Sequence, residues 1–333
     1  MTVRVAVDAL GGDRAPEEVV AGALAAARFD LEPVLVGAAG LAAHGLRLLP
    51  ASERIGMDEQ PVEAVRAKPD SSLVRAVRAV AEGNADAVVS AGSTGATLAA
   101  SLLHLRRLPG VLRPAIAVVI PARAGPTVLI DAGANADARA EHLLQFAHMG
   151  AVFAEELLGK RDPSVALLSI GEEDEKGNQL TLEAHALLRE SGLRFLGNTE
   201  SRRLLEGDVD VVVTDGFTGN VALKALEGTI RSLLDSLRGE LRASLRGRLG
   251  GLLIRPAARR VRERLDPETY GGAYLLGLRG LVVIAHGASS RVAIANAMRL
   301  AARGVEQGVV QRLEERLARS VLASRDPTPT DEK

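Results

Sequence analysis

The chain has no cysteine and no tryptophan, and only 2% of it is aromatic. Without thiols there is no disulfide, no cysteine nucleophile and no cysteine-ligated metal. Too few rings are present to stack single-stranded nucleic acid, and a net charge of −1 gives no general attraction for it, so no nucleic-acid partner is expected. No apolar run approaches the roughly 18 residues of a membrane span, and Val3 to Asp8 reads as a strand and not as a signal peptide; the expected location is the cytoplasm. The spacing G-x-G occurs nowhere, which removes the dinucleotide fingerprint G-x-G-x-x-G, and neither a phosphate-binding G-x-x-x-x-G-K-[ST] nor a G-x-S-x-G elbow is found.

What is present is a 333-residue chain that is 47% Ala, Val, Ile, Leu and other apolar residues, with a mean hydropathy of +0.11. That suffices for a large core built without rings. Short apolar runs alternate with helical patterns along residues 1–323, which predicts one large α/β domain with a mostly parallel, doubly wound sheet. The polar, proline-interrupted residues 324–333 read as a disordered tail.

Six glycine-containing polar loops follow predicted strands: Asp8 to Asp13, Ser90 to Gly95, Asp131 to Asn135, Gly171 to Asn178, Asp215 to Asn220 and His286 to Ser290. In a doubly wound sheet all six are expected to rise from one edge and line one crevice rich in backbone N–H groups, suited to phosphate or an oxyanion. The stretch Thr214-Asp215-Gly216-Phe217-Thr218-Gly219-Asn220 is the strongest of them, with a helix expected from about Val221. It reads either as an anion cradle or as a plain strand-to-helix turn capped by Thr218 or Asn220. Lys176 is the candidate cation of the crevice; otherwise it is a solvated lysine paired with Glu173 or Glu175. Of six histidines only His286 lies on one of these loops. Magnesium held by Asp8, Asp13, Asp131 or Asp215 is an alternative with no diagnostic spacing, so no metal and no cofactor is expected.

Residues 228–265 break the pattern. Ile230, Leu233, Leu234, Leu237, Leu241 and Leu245 form one helical stripe, Leu249 to Ile254 an apolar tip, and Pro256 the start of a second helix. Between residues 238 and 264 nine arginines face two glutamates. This predicts a helical hairpin that serves an anionic lipid surface, an acidic protein, or a dimerisation arm.

Taken together, Asp8-Ala9-Leu10-Gly11-Gly12-Asp13, Ser90 to Ala96, Arg113-Pro114-Ala115, Asp131-Ala132-Gly133-Ala134-Asn135, Gly171-Glu172-Glu173, Lys176-Gly177, Thr214 to Val221, Tyr270-Gly271-Gly272-Ala273 and His286-Gly287 resemble the PlsX-type phosphate acyltransferases of bacterial phospholipid synthesis. Ser93 and Leu10 depart from that family's usual Asn and Met. The resemblance implies a fold related to isopropylmalate dehydrogenase and phosphotransacetylase, a homodimer, and peripheral association with the inner face of the cell membrane. It also implies conversion of acyl-acyl carrier protein and inorganic phosphate to acyl phosphate, the first committed step toward phosphatidic acid, with a glycerol-3-phosphate acyltransferase downstream.

On this reading Lys176 and Asn220 meet phosphate and oxyanion charge, and Asp215 orients Lys176 or the phosphate. Gly11, Gly12, Asp13, Gly92, Ser93, Thr94, Gly95, Asp131, Asn135, Gly216, Thr218, Gly219 and His286 line the substrate site. Arg246, Arg248, Leu249, Leu252, Leu253, Ile254 and Arg255 touch membrane or carrier protein. A short-chain phosphotransacylase using acyl-coenzyme A, a nicotinamide-dependent dehydrogenase and a non-catalytic membrane adaptor are the rival readings.

Overall fold

A computed structural model describes residues 2–265 and 271–323. Tyr270 and the tail 324–333 lie outside the described residues.

Among the described residues, eleven strands form one sheet: β1 Val3–Asp8, β2 Leu31–Gly37, β3 Arg47–Pro50, β4 Ala87–Ser90, β5 Ala115–Ile120, β6 Thr127–Ile130, β7 Ser164–Ser169, β8 Arg194–Glu200, β9 Val211–Val213, β10 Ala273–Leu276 and β11 Leu281–Ile284, in the order β3-β2-β1-β4-β11-β10-β5-β6-β9-β7-β8. Residues alternate between two cores, one on each face. Val5 and Val7 point into one and Ala6 into the other, as do Val165 and Leu167 against Ala166. Helices α1 Glu17–Ala26, α5 Ala140–Leu158, α9 Arg291–Glu306 and α10 Val309–Ala323 cover the first face. Helices α2 Pro61–Ala67, α3 Ser72–Ala81 and α4 Thr94–His104 cover the second. With helices on both faces, the central strands β5, β9, β10 and β11 are nearly continuous apolar runs, as a buried sheet requires, while the edge strands β3 and β8 carry polar, partly exposed residues.

The expected α/β class and mostly parallel sheet hold, but the parallel strands fall into two sets that run in opposite directions. β1 to β4 and β11 run one way and pair in parallel. β10, a strand not anticipated from the sequence, runs antiparallel to both β11 and β5. β5 and β6 then pair antiparallel, and β6, β9, β7 and β8 continue in parallel in the reversed direction. The strands that carry the six loops therefore end on opposite sides: β1, β4 and β11 at what we term the upper end, β6, β7 and β9 at the lower end.

Helix α7 Gly216–Ala243 begins five residues earlier than expected and continues without interruption into the arginine-rich arm. The arm turns at Ser244, whose Oγ accepts a hydrogen bond from Gly247 N at 2.9 Å. Helix α8 Leu245–Leu265 follows, so Leu249 to Ile254 lie inside a helix and do not form its tip, and Pro256 is internal. Gly247 and Gly251 bring α8 back against Leu241 of α7, which makes the arm a hairpin. No described helix is long and apolar enough to cross a membrane.

Candidate functional site

The upper end is organised around Asp8, which is 2% exposed. Ser72 Oγ and Ser90 Oγ donate to its two carboxylate oxygens at 2.6 and 2.8 Å, and Gly92 N donates to Ser90 Oγ at 3.0 Å. Burial pushes the Asp8 carboxyl above the usual range, against the pull of the two serine hydroxyls. Gly11 lies so close that a Cβ there would stand 2.3 Å from Asp8 Oδ2. The loops after β1 and β11 meet through Asp13 N, which donates to Gly287 O at 2.8 Å. Ser93 Oγ accepts from Ala96 N and caps α4, as Ser does at this position, leaving the first amides of that helix, at Thr94 and Gly95, without an intrahelical partner. His286 Nδ1 accepts from Ala288 N at 3.1 Å, holding its own loop. Ser72, the main surprise here, stands before an apolar run and reads from sequence only as a helix start.

At the lower end the expected anion cradles are already filled by the chain's own carboxylates. Asp131 is fully buried; Oδ1 accepts from the amides of Ile116, Gly133 and Ala134, and Oδ2 from Asn135 N and Asn135 Nδ2, all between 2.7 and 3.1 Å. Asp215, not Thr218 or Asn220, is the N-cap of α7, its Oδ1 accepting from Thr218 N at 2.9 Å. Gly216 N donates to Asn135 O at 2.8 Å. Gly216 and Gly219 are buried, and a Cβ on Gly219 would stand 2.0 Å from Asp131 O. These glycines let two loops interlock; they are not an open cradle for a ligand.

What remains outward-facing at this end is Thr218, Asn220 and Lys176, all exposed. The Asn220 side chain lies beside Gly133, about 3.6 Å from where a Cβ would be. The carbonyl of Lys176 is held by Ser169 Oγ at 2.9 Å and Asn198 Nδ2 at 3.3 Å, which fixes its loop. Its ammonium makes no ion pair with Glu173 or Glu175 and no other among the described residues. Lys176 and Asn220 thus rise from the ends of neighbouring strands β7 and β9.

The six loops do not all rise from one edge of the sheet, as the sequence reading expected. Gly11, Gly12, Asp13, Gly92, Ser93, Thr94, Gly95 and His286 gather at the upper end, and Asp131, Asn135, Lys176, Asp215, Gly216, Thr218, Gly219 and Asn220 at the lower. The cause is the antiparallel pairing of β5 with β6, which turns β6, β9, β7 and β8 against β1, β4 and β11; its local signal is the short connection between Ile120 and Thr127, too short for a parallel crossover.

The arm carries the expected apolar surface. Leu245, Leu249, Leu252 and Leu253 are 63–82% exposed, beside exposed Arg246, Arg248 and Arg255.

Residues 3–312 match the model of the family described as "Fatty acid synthesis protein". The chain is 48% identical over 327 residues to a phosphate acyltransferase of Heliobacterium modesticaldum, covering 95% of this chain and 98% of that one. It is 46% identical over 332 residues to one of Desulfitobacterium hafniense, covering 96% and 99%. Among solved structures it resembles a phosphotransacetylase from Streptococcus pyogenes (TM-score 0.61, 20% identity, 92% and 94% coverage) and a branched-chain phosphotransacylase from Enterococcus faecalis (TM-score 0.61, 17% identity, 91% and 99% coverage), which establishes the fold.

Proposed function

The chain belongs to the family of bacterial phosphate acyltransferases, and on that premise we propose that it makes acyl phosphate from inorganic phosphate and a fatty acyl thioester whose carrier is acyl carrier protein. The observation that carries this reading is the match to that family over nearly the whole length of the chain. A phosphate oxygen attacks the thioester carbonyl, the carbonyl–sulfur bond breaks, and the carrier leaves as a thiolate that takes up a proton. No enzyme nucleophile is needed, which suits a chain without cysteine.

The reaction is assigned to the lower end of the sheet. Lys176 offers a positive charge there that is unpaired among the described residues, and Asn220 a side-chain amide, the two kinds of group that stabilise a phosphate and a developing oxyanion. Asp215 acts indirectly: as N-cap it fixes the first turn of α7 and so the direction of Asn220. Asp131 does the same for the loop at Gly133. The exposed leucines and arginines of the arm fit peripheral contact with the inner face of an anionic membrane and with an acidic carrier protein. A second copy of the chain is expected to complete a homodimer.

Trapping acyl phosphate with hydroxylamine, with acyl-acyl carrier protein and acyl-coenzyme A offered in parallel, tests the proposal. Hydroxamate formed mainly from the carrier-protein substrate, and only when phosphate is present, is the expected result. Faster turnover of acyl-coenzyme A would replace the donor, and no hydroxamate from either would overturn the activity.

A further inference from the structure

Arg113 and Pro114 have no role in the site described so far, yet they line a cleft of about 480 Å³ together with Leu102, Arg107, Leu112 and His142. The cleft opens at the lower end, where β5 starts. It touches the loop that adjoins Asn220, because Asn135 Nδ2 donates to Pro114 O at 2.8 Å. Its rim is held by several independent hydrogen bonds. Gln145 accepts from Leu112 N at 2.8 Å and donates to Gly110 O at 2.9 Å, the Arg107 guanidinium donates to Leu112 O, and Arg279 Nε donates to Arg107 O at 3.3 Å.

Three features of the lining select the ligand. Among the described residues neither Arg113 nor Arg107 is ion-paired, so two guanidiniums meet the cleft with no carboxylate bound to either, Glu141 beside His142 being the nearby negative charge. His142 Nδ1 accepts from Arg139 N at 3.1 Å, which leaves the proton of the neutral ring on Nε2 as a donor. Burial and the nearby Arg113 charge lower its pKa, against the pull of Glu141, and the lowered pKa favours the neutral ring. The remaining wall is apolar, from Leu102, Leu112 and Pro114. Cations beside leucines suit a phosphate ester with a hydrocarbon attached, since guanidinium pairs bind phosphate oxygens two at a time while the tail leaves water.

We propose that this cleft binds the acyl phosphate product, with Arg113, Arg107 and His142 on the phosphate and Leu102 and Leu112 against the first carbons of the chain. The inference rests on the activity proposed above and makes Arg113 a binding residue of that reaction.

Calorimetric titration of the full-length protein with inorganic phosphate, decyl phosphate and phosphopantetheine tests it. Decyl phosphate is expected to bind at least about tenfold tighter than inorganic phosphate, and Arg113→Gln to weaken it at least about tenfold with the helix content and melting temperature kept. Leu112→Asn is expected to erase most of the advantage of the decyl chain while sparing inorganic phosphate. Unchanged decyl phosphate affinity in Arg113→Gln overturns the proposal, and so does a loss confined to phosphopantetheine, which would give the cleft to the carrier's prosthetic group. The two readings fail separately: wild-type protein that yields no hydroxamate defeats the activity, whereas a fully active Arg113→Gln with unaltered phosphate KM defeats only the cleft.

Discussion

Asp131 and Asp215 alter what can be expected of their neighbours, because each already occupies the amide groups that looked free for phosphate. Five N–H groups converge on Asp131 and one caps at Asp215, so positive potential at the lower end must come chiefly from side chains. Lys176→Ala and Asn220→Ala should each reduce hydroxamate formation at least about tenfold with unchanged circular dichroism; wild-type rates in both would remove them from the reaction. His148 makes a separate point about stability. It is 8% exposed, its Nδ1 has no hydrogen-bond partner among the described residues, and burial with the nearby Arg316 charge lowers its pKa to about 4. The unfolded imidazole titrates near 6.5, so between those values the unfolded state binds the extra proton. Stability present above pH 6.5 is therefore lost as pH falls toward 4, by up to about 3 kcal/mol. His148→Leu should show a smaller fall in melting temperature between pH 7 and pH 4.5 than wild type, and parallel curves would refute the assignment. The sequence disclosed the types of these residues but not their partners: Asp8 with Ser72, 64 positions away, leaves no local signature.

Elements were legible where one pattern decided them. The runs at β4, β5, β6 and β11 are apolar and short, and helices α3, α4 and α9 carry the start signals Ser71, Ser93 and Ser290, each of which caps by its side chain. β3 and β10, four residues apiece, were missed, but β10 is inverted alone between β11 and β5, which run the same way; the lasting reversal of the sheet lies at the antiparallel β5–β6 pair. The start of α7 was placed late for a different reason: its two glycines suggested a loop, whereas they serve close packing of a helix turn on the loop after β6. Gly219→Ala tests that account. A methyl 2.0 Å from the Asp131 carbonyl oxygen cannot be accommodated without moving the backbone, so the substitution should destabilise by about 2 kcal/mol or more, read as a lower urea midpoint. An alanine variant as stable as wild type would return these glycines to a ligand-approach role.

For the molecule as a whole, α7 joins the two functions assigned to it. Its cap lies in the lower-end loops and its last residue, Ala243, meets the turn into α8, a run of 28 residues or about 42 Å. A continuous helix of that length places the arm's leucines well away from Asn220 while fixing their direction relative to it. Charge and apolar surface then act together on a membrane: each arginine near an anionic surface contributes about 1 kcal/mol, and insertion of one leucine about 2 kcal/mol. Leu253, 79% exposed, has no packing role to lose, so Leu253→Glu should fold normally and turn over soluble substrate at the wild-type rate. It should nevertheless sediment with vesicles of anionic lipid at least about tenfold less well, since it both forfeits insertion and adds a negative charge. Raised salt should weaken what binding remains, because the arginine share of it is screened. Undiminished sedimentation, joined with a shift from dimer to monomer in light scattering, would instead make the arm the surface on which two copies of the chain meet.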